Sequence, residues 1–178
     1  MPRALFRGAS SCPDFNCSDW RACPRVTAAL LALQHPDTMD VRVLGARCGP
    51  EAAYAGGQVI PYMDWGHWRY LVDIEGSTCG DSINRRLVTG SLVIHLDNTR
   101  GYREFYQPLM FAASPPSLRF VAAVAELPAA VAWAVGHDAE AAAMGGRAEA
   151  FMRAYVYPPC SRQAYVRTGP RVPCCVIC

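Results

Sequence analysis

The chain has 178 residues, of which 52% are hydrophobic and 18% charged, with a formal net charge of +2. That length fits one domain of roughly 100 to 200 residues and that balance can bury a core, so this chain alone is not expected to be a large multidomain enzyme, and the composition argues against wholesale disorder. All 17 basic residues are arginine, yet no run of them forms an electrostatic stripe, so a nucleic-acid partner is not supported.

In chain order, apolar runs alternate with segments of helical period, the pattern of an α/β protein with a Rossmann-like, mostly parallel sheet. Residues 1–8 hold no apolar run long enough for a signal peptide, so the chain reads as cytosolic or as lacking its true beginning. A first strand is predicted over 4–6, running into a polar loop over 10–19. A helix over 25–33 follows, with Pro24 in its first turn and Val26, Ala29, Leu30 and Leu33 on its inward face. A second strand spans 41–44, and a glycine-containing connection covers 45–66. A third strand over 69–74 ends abruptly at Glu75 and Gly76.

A short helix over 81–88 then leads to an apolar strand over 91–96. Beyond it the pattern predicts a short helix over 102–109, a strand over 119–124 and a helix over 127–135. Asp138 is placed to cap a last alanine-rich helix reaching about Tyr155, with Gly145 and Gly146 as its weak spot. The most apolar stretch, 120–135, contains Glu126 and Pro128, so no membrane span is predicted. Residues 157–178 are expected to form a Pro/Cys-rich tail outside the core.

Nine cysteines cannot all pair within the chain. Only Cys175 and Cys178 have zinc-knuckle spacing, and no metal site is expected. The last four residues, beginning at Cys175, also have the shape of a prenylation box, with Cys174 beside it for a second lipid.

In an open α/β sheet, ligands bind beyond the carboxyl ends of the strands, where loop amides and a helix N-terminus converge. The loop over 75–82 sits at such an end. Gly76 and Gly80 would let backbone approach a diphosphate, and Ser77, Thr78 and Ser82 add hydroxyls. From spacing alone the solvated glycine-rich turn is the commoner reading. At the end of the first strand, Arg7, Gly8 and Ser10 offer a guanidinium fork, a close approach and a hydroxyl, or simply a surface arginine. Glu104 is either a first-turn residue favoured by the helix dipole or an acceptor for a ribose. His95 and His137 read as structural and His67 as a packing residue, and no nucleophilic triad can be assigned.

Four blocks carry a resemblance: 69–76 (RYLVDIEG), 86–93 (RLVTGSLV), 102–106 (YREFY) and 132–138 (AWAVGHD). In order and spacing they resemble the capsule-associated-protein type of glycosyltransferase, family 90, which includes protein O-glucosyltransferases and O-xylosyltransferases. Together with Phe6 to Ser10 the similarity covers roughly residues 4 to 156, so 1–156 is expected to be one partial domain of that type. The resemblance implies the nucleotide-sugar-binding half of a GT-B architecture, a UDP-sugar donor (glucose or xylose), no metal, and a protein or glycan hydroxyl as acceptor. It implies a lumenal setting in the endoplasmic reticulum or Golgi.

By that resemblance Arg7 and Ser10 would hold the diphosphate. Gly76, Ser77, Thr78 and Cys79 would donate backbone N–H groups to it, Ser82 would add a hydroxyl and Glu104 would bind the ribose. Two departures stand out. Ser82 replaces an arginine common in such enzymes, although Arg85 and Arg86 follow one turn on. The acidic general base belongs to the other half, so no catalytic residue is assigned. A non-catalytic nucleotide-sugar-binding module or degenerate fragment is the alternative reading.

Overall fold

The computed structural model describes residues 3–10, 17–45, 49–74, 76, 82–96 and 104–157. Five parallel strands form one sheet: β1 (Ala4–Ala9), β2 (Met39–Leu44), β3 (Tyr70–Asp73), β4 (Leu92–Leu96) and β5 (Arg119–Val121), in the order β2-β1-β3-β4-β5. The class is α/β with a Rossmann-like sheet. β3 and β4 are buried along their whole length, whereas β2 at the edge alternates buried with half-buried residues. That difference follows from position, since a central strand in a doubly covered parallel sheet meets apolar neighbours on both faces.

The helices are α1 (Pro24–Gln34), α2 (Ser82–Leu87), α3 (Gln107–Phe111), α4 (Leu127–Gly136) and α5 (Asp138–Phe151). Pro24 and Pro128 sit in the first turns of α1 and α4, where a missing N–H costs nothing. One face of the sheet, with Phe6, Val41, Val43, Val72 and Ile94, packs on Val26, Ala29 and Ala32 of α1 and Val131 of α4. On the other face Val93 joins Ile83 and Leu87 of α2, Met110 of α3 and Met152, while Leu5 and Leu71 meet Trp65.

Four expectations change. α1 turns Ala28 and Ala32 inward and leaves Leu33 41% exposed, because alanines let the helix lie closer to the sheet than leucines would. β1 runs on to Ala9, so Arg7 and Gly8 belong to the strand and only Ser10 stands at its tip. Gly145 is no weak spot: a Cβ there would lie 2.3 Å from the Gly90 carbonyl oxygen and 2.6 Å from the Ser91 carbonyl carbon. α5 needs a glycine to cross so close to the start of β4, and it passes from one core to the other there, with Met144 in the first and Ala148 in the second. Its Asp138 makes no capping bond. The carboxylate instead pairs with Arg69 and accepts the Tyr70 hydroxyl at 2.9 Å. No helix among the described residues is long and apolar enough to cross a membrane.

Candidate functional site

The chain leaves β1 toward β2 on one side and returns to β3 on the other, so the strand order reverses between β1 and β3. In doubly wound sheets such a reversal, at the carboxyl ends of the strands, is the usual ligand position. Ser10 stands just past β1, with its hydroxyl 3.5 Å from the Gly45 carbonyl. Gly76, half-buried, lies beyond β3, and Ser82 is the first residue of α2.

One side chain spans the two tips. Arg25, in the first turn of α1, donates from Nε to the Ile74 carbonyl at 3.0 Å and from Nη1 to the Ala9 carbonyl at 3.0 Å. It is 9% exposed, and its guanidinium supplies hydrogen bonds to two strand-end carbonyls. Cys23, at the N-cap of the same helix, is buried and disulfide-bonded.

Arg7 is engaged elsewhere. It lies opposite Arg42 in the ladder, yet its guanidinium reaches back to Asp40, the register partner of Leu5. Nη2 meets the Asp40 carboxylate at 2.8 Å, Nη1 the Asp40 carbonyl at 2.7 Å and the Phe6 carbonyl at 2.9 Å, and Nε the Gln58 carbonyl at 3.1 Å. That places it on the β2 side of β1 and toward the amino ends of the strands, away from Gly76. The expectation that Arg7 faces the same phosphate as the Gly76 loop is therefore replaced: Arg7 ties β1, β2 and the following connection together. Ser77, Thr78 and Cys79 lie outside the described residues. Glu104 precedes α3, and its N–H donates to Gln107 Oε1 at 2.8 Å, so α3 begins later than the sequence pattern predicts.

Beneath the carboxyl ends of β3 and β4 lies a buried ionic network. Asp73, the last residue of β3, accepts from Arg86 Nη1 at 3.0 Å and pairs with His95 Nδ1 at 2.9 Å. Burial alone would raise the Asp73 carboxyl, but the His95 hydrogen bond and the charges of Arg86 and Arg25 outweigh it and hold the group below its ordinary value. Burial lowers the pKa of Arg86, and the Asp73 charge offsets part of that. The Arg86 guanidinium also lies 4.8 Å from the Trp65 ring centroid. His95 Nε2 is buried and has no hydrogen-bond partner among the described residues, with the rings of Phe111 and Phe120 at 5.7 and 5.6 Å. Nearby, the buried Tyr106 hydroxyl donates to Asn84 Oδ1. Burial first, then the charges of Glu104 and Asp73, push the Tyr106 phenol well above its usual value.

The network was legible in part. An aspartate inside the apolar run YLVDI must be paired if the strand is central, and period-two alternation puts His95 on the face of Val93. Arg25 gave no comparable signal, because only the fold sets its helix turn beneath two strand tips. Among the described residues no group of His, Cys, Asp or Glu is placed to hold a metal ion. No protein-family model matches the sequence, and no curated protein matches it.

Proposed function

We propose that a crevice above the carboxyl ends of β1 and β3 binds the diphosphate of a UDP-sugar, and that the chain is the donor-binding domain of a glycosyltransferase. The observation that carries this reading is the reversal of strand order between β1 and β3, with Ser10 and Gly76 beyond the two tips. The resemblance of residues 4 to 156 to family 90 glycosyltransferases supports it and suggests glucose or xylose as the sugar. In this reading the backbone of Gly76, Ser77, Thr78 and Cys79 donates to the diphosphate, Ser10 and Ser82 add hydroxyls, and Glu104 accepts from the ribose.

Such donors matter most as the glycosidic bond breaks, when negative charge builds on the departing UDP. Arg25 takes no phosphate in this scheme; it holds the two tips at a fixed separation. The Asp73, Arg86 and His95 network does the same for α2, whose first residue is Ser82. Transfer to a protein or glycan hydroxyl also requires an acid group to take the acceptor proton, and the reading assigns that group to an acceptor-binding half of GT-B architecture. A non-catalytic nucleotide-sugar-binding module shares the donor site, and a sugar-transfer assay separates the two.

Isothermal titration with UDP tests the donor site. Saturable binding at or below millimolar concentration is expected, with Ser82→Ala weakening it several-fold, as for the loss of one hydrogen bond of roughly 1 kcal/mol. A folded sample without UDP affinity at millimolar concentration rejects the reading.

A further inference from the structure

Asparagine occurs three times in the chain, at positions 16, 84 and 98. Only Asn16 is followed two residues on by a hydroxyl residue, in Asn16-Cys17-Ser18, with no proline in the middle position. That is the acceptor pattern for N-linked glycosylation, in which the carboxamide and the hydroxyl are read together. A three-residue motif arises often by chance, so it counts only where the neighbouring chain is at the surface and the compartment is one that attaches the glycan.

The structure speaks to both conditions. Residue 16 itself lies outside the described residues, but the motif runs into a short 3-10 helix, Cys17–Ala22, in the connection between β1 and α1. Trp20 is half-buried against the core, whereas Asp19, Arg21 and Ala22 are exposed. Asp19, with φ −116° and ψ 68°, interrupts the helix. The residues that follow the motif therefore form a surface connection, where a bulky polar group costs no packing.

Cys23 closes the same connection and is disulfide-bonded, with its residue fully buried. Disulfides form and persist in the secretory pathway and outside the cell, and are rare where thiols are kept reduced. A buried disulfide and an N-glycosylation motif within eight residues of each other thus point to one compartment from independent chemistry.

We propose that Asn16 carries an N-linked glycan, taken from a lipid-diphosphate-linked oligosaccharide. In that transfer Nδ2 of Asn16 bonds to C1 of the first sugar, the C1–O bond to the diphosphate breaks, the diphosphate leaves with the electron pair, and Nδ2 gives up one proton. The chain is here the acceptor of a sugar, so the proposal stands apart from the donor-site reading.

The full chain, directed into the secretory pathway of eukaryotic cells by a secretion signal and recovered whether exported or retained, tests this by mass spectrometry before and after peptide N-glycosidase treatment. The peptide containing Asn16 is expected to carry a hexose and N-acetylhexosamine mass, and the glycosidase to remove it and leave a carboxylate at position 16. Asn16→Gln and Ser18→Ala should each lose the glycan completely. Ser18→Thr keeps the hydroxyl and should retain it, which separates loss of the motif from a fault in folding. An unmodified Asn16 in the recovered protein, a glycan of the same size in Asn16→Gln, or a free Cys23 thiol overturns the proposal.

Discussion

Arg7 and Asp73 are both charged residues on strands, but they hold different things together. Arg7 bonds to β2 and to Gln58, with its side chain only 7% exposed. Arg7→Ala should therefore leave UDP affinity unchanged and cost about 2 kcal/mol of stability, as expected for charge-assisted hydrogen bonds. In a domain of this size that is a fall in Tm of roughly 4–8 °C, readable by differential scanning calorimetry. Asp73 is buried between Arg86 and His95, and its folded-state pKa lies below the ordinary value of 3.8. A depressed carboxyl stabilises the fold above its unfolded-state pKa, and that contribution is lost as pH falls through the folded value. The pH dependence of Tm below about 4 should therefore be shallower in Asp73→Asn than in the parent chain. At neutral pH the same variant should be less stable by about 3–5 kcal/mol, because it leaves the Arg86 charge buried without its counterion.

At the scale of elements, α5 passes close against the start of β4. Gly145 and Gly146 are neighbours with opposite surroundings: one is buried against Gly90 and Ser91, while a Cβ on the other meets nothing within 4 Å. Gly146→Ala should stabilise the helix by up to about 1 kcal/mol through propensity alone. Gly145→Ala should destabilise by roughly 1–3 kcal/mol, because backbone rather than a yielding side chain fills the space. Equal shifts in the urea midpoint for both variants would show that α5 does not cross β4 as closely as described. α2 illustrates another division of labour within one short helix. Arg86 turns inward to Asp73 while Arg85, its neighbour in sequence, turns outward over Tyr62. An arginine pair identical in composition thus serves the core and the surface.

For the whole molecule, the topology ties these elements to one edge of the sheet. α1 and α2 both start at the carboxyl ends of strands; Arg25 ties the first turn of α1 to the ends of β1 and β3, and Arg86 ties the last turn of α2 to Asp73 of β3 from the opposite face. A ligand bound in the crevice would bridge parts of the fold that are far apart in the chain. UDP should accordingly raise the Tm of the whole domain in a single transition, growing with the logarithm of its concentration above Kd.

Alternation of apolar runs with helical periods made the α/β class and the parallel sheet legible from residue order, because period and run length report directly on which faces are buried. The abrupt end of β3 at a glycine-bearing loop was legible for the same local reason. The direction of Arg7, the span of Arg25 between two strand tips and the need for glycine at position 145 were decided by the tertiary structure. Each depends on partners tens of residues away, and a side chain long enough to reach either of two neighbours is assigned only when strand register brings one acceptor within hydrogen-bonding distance.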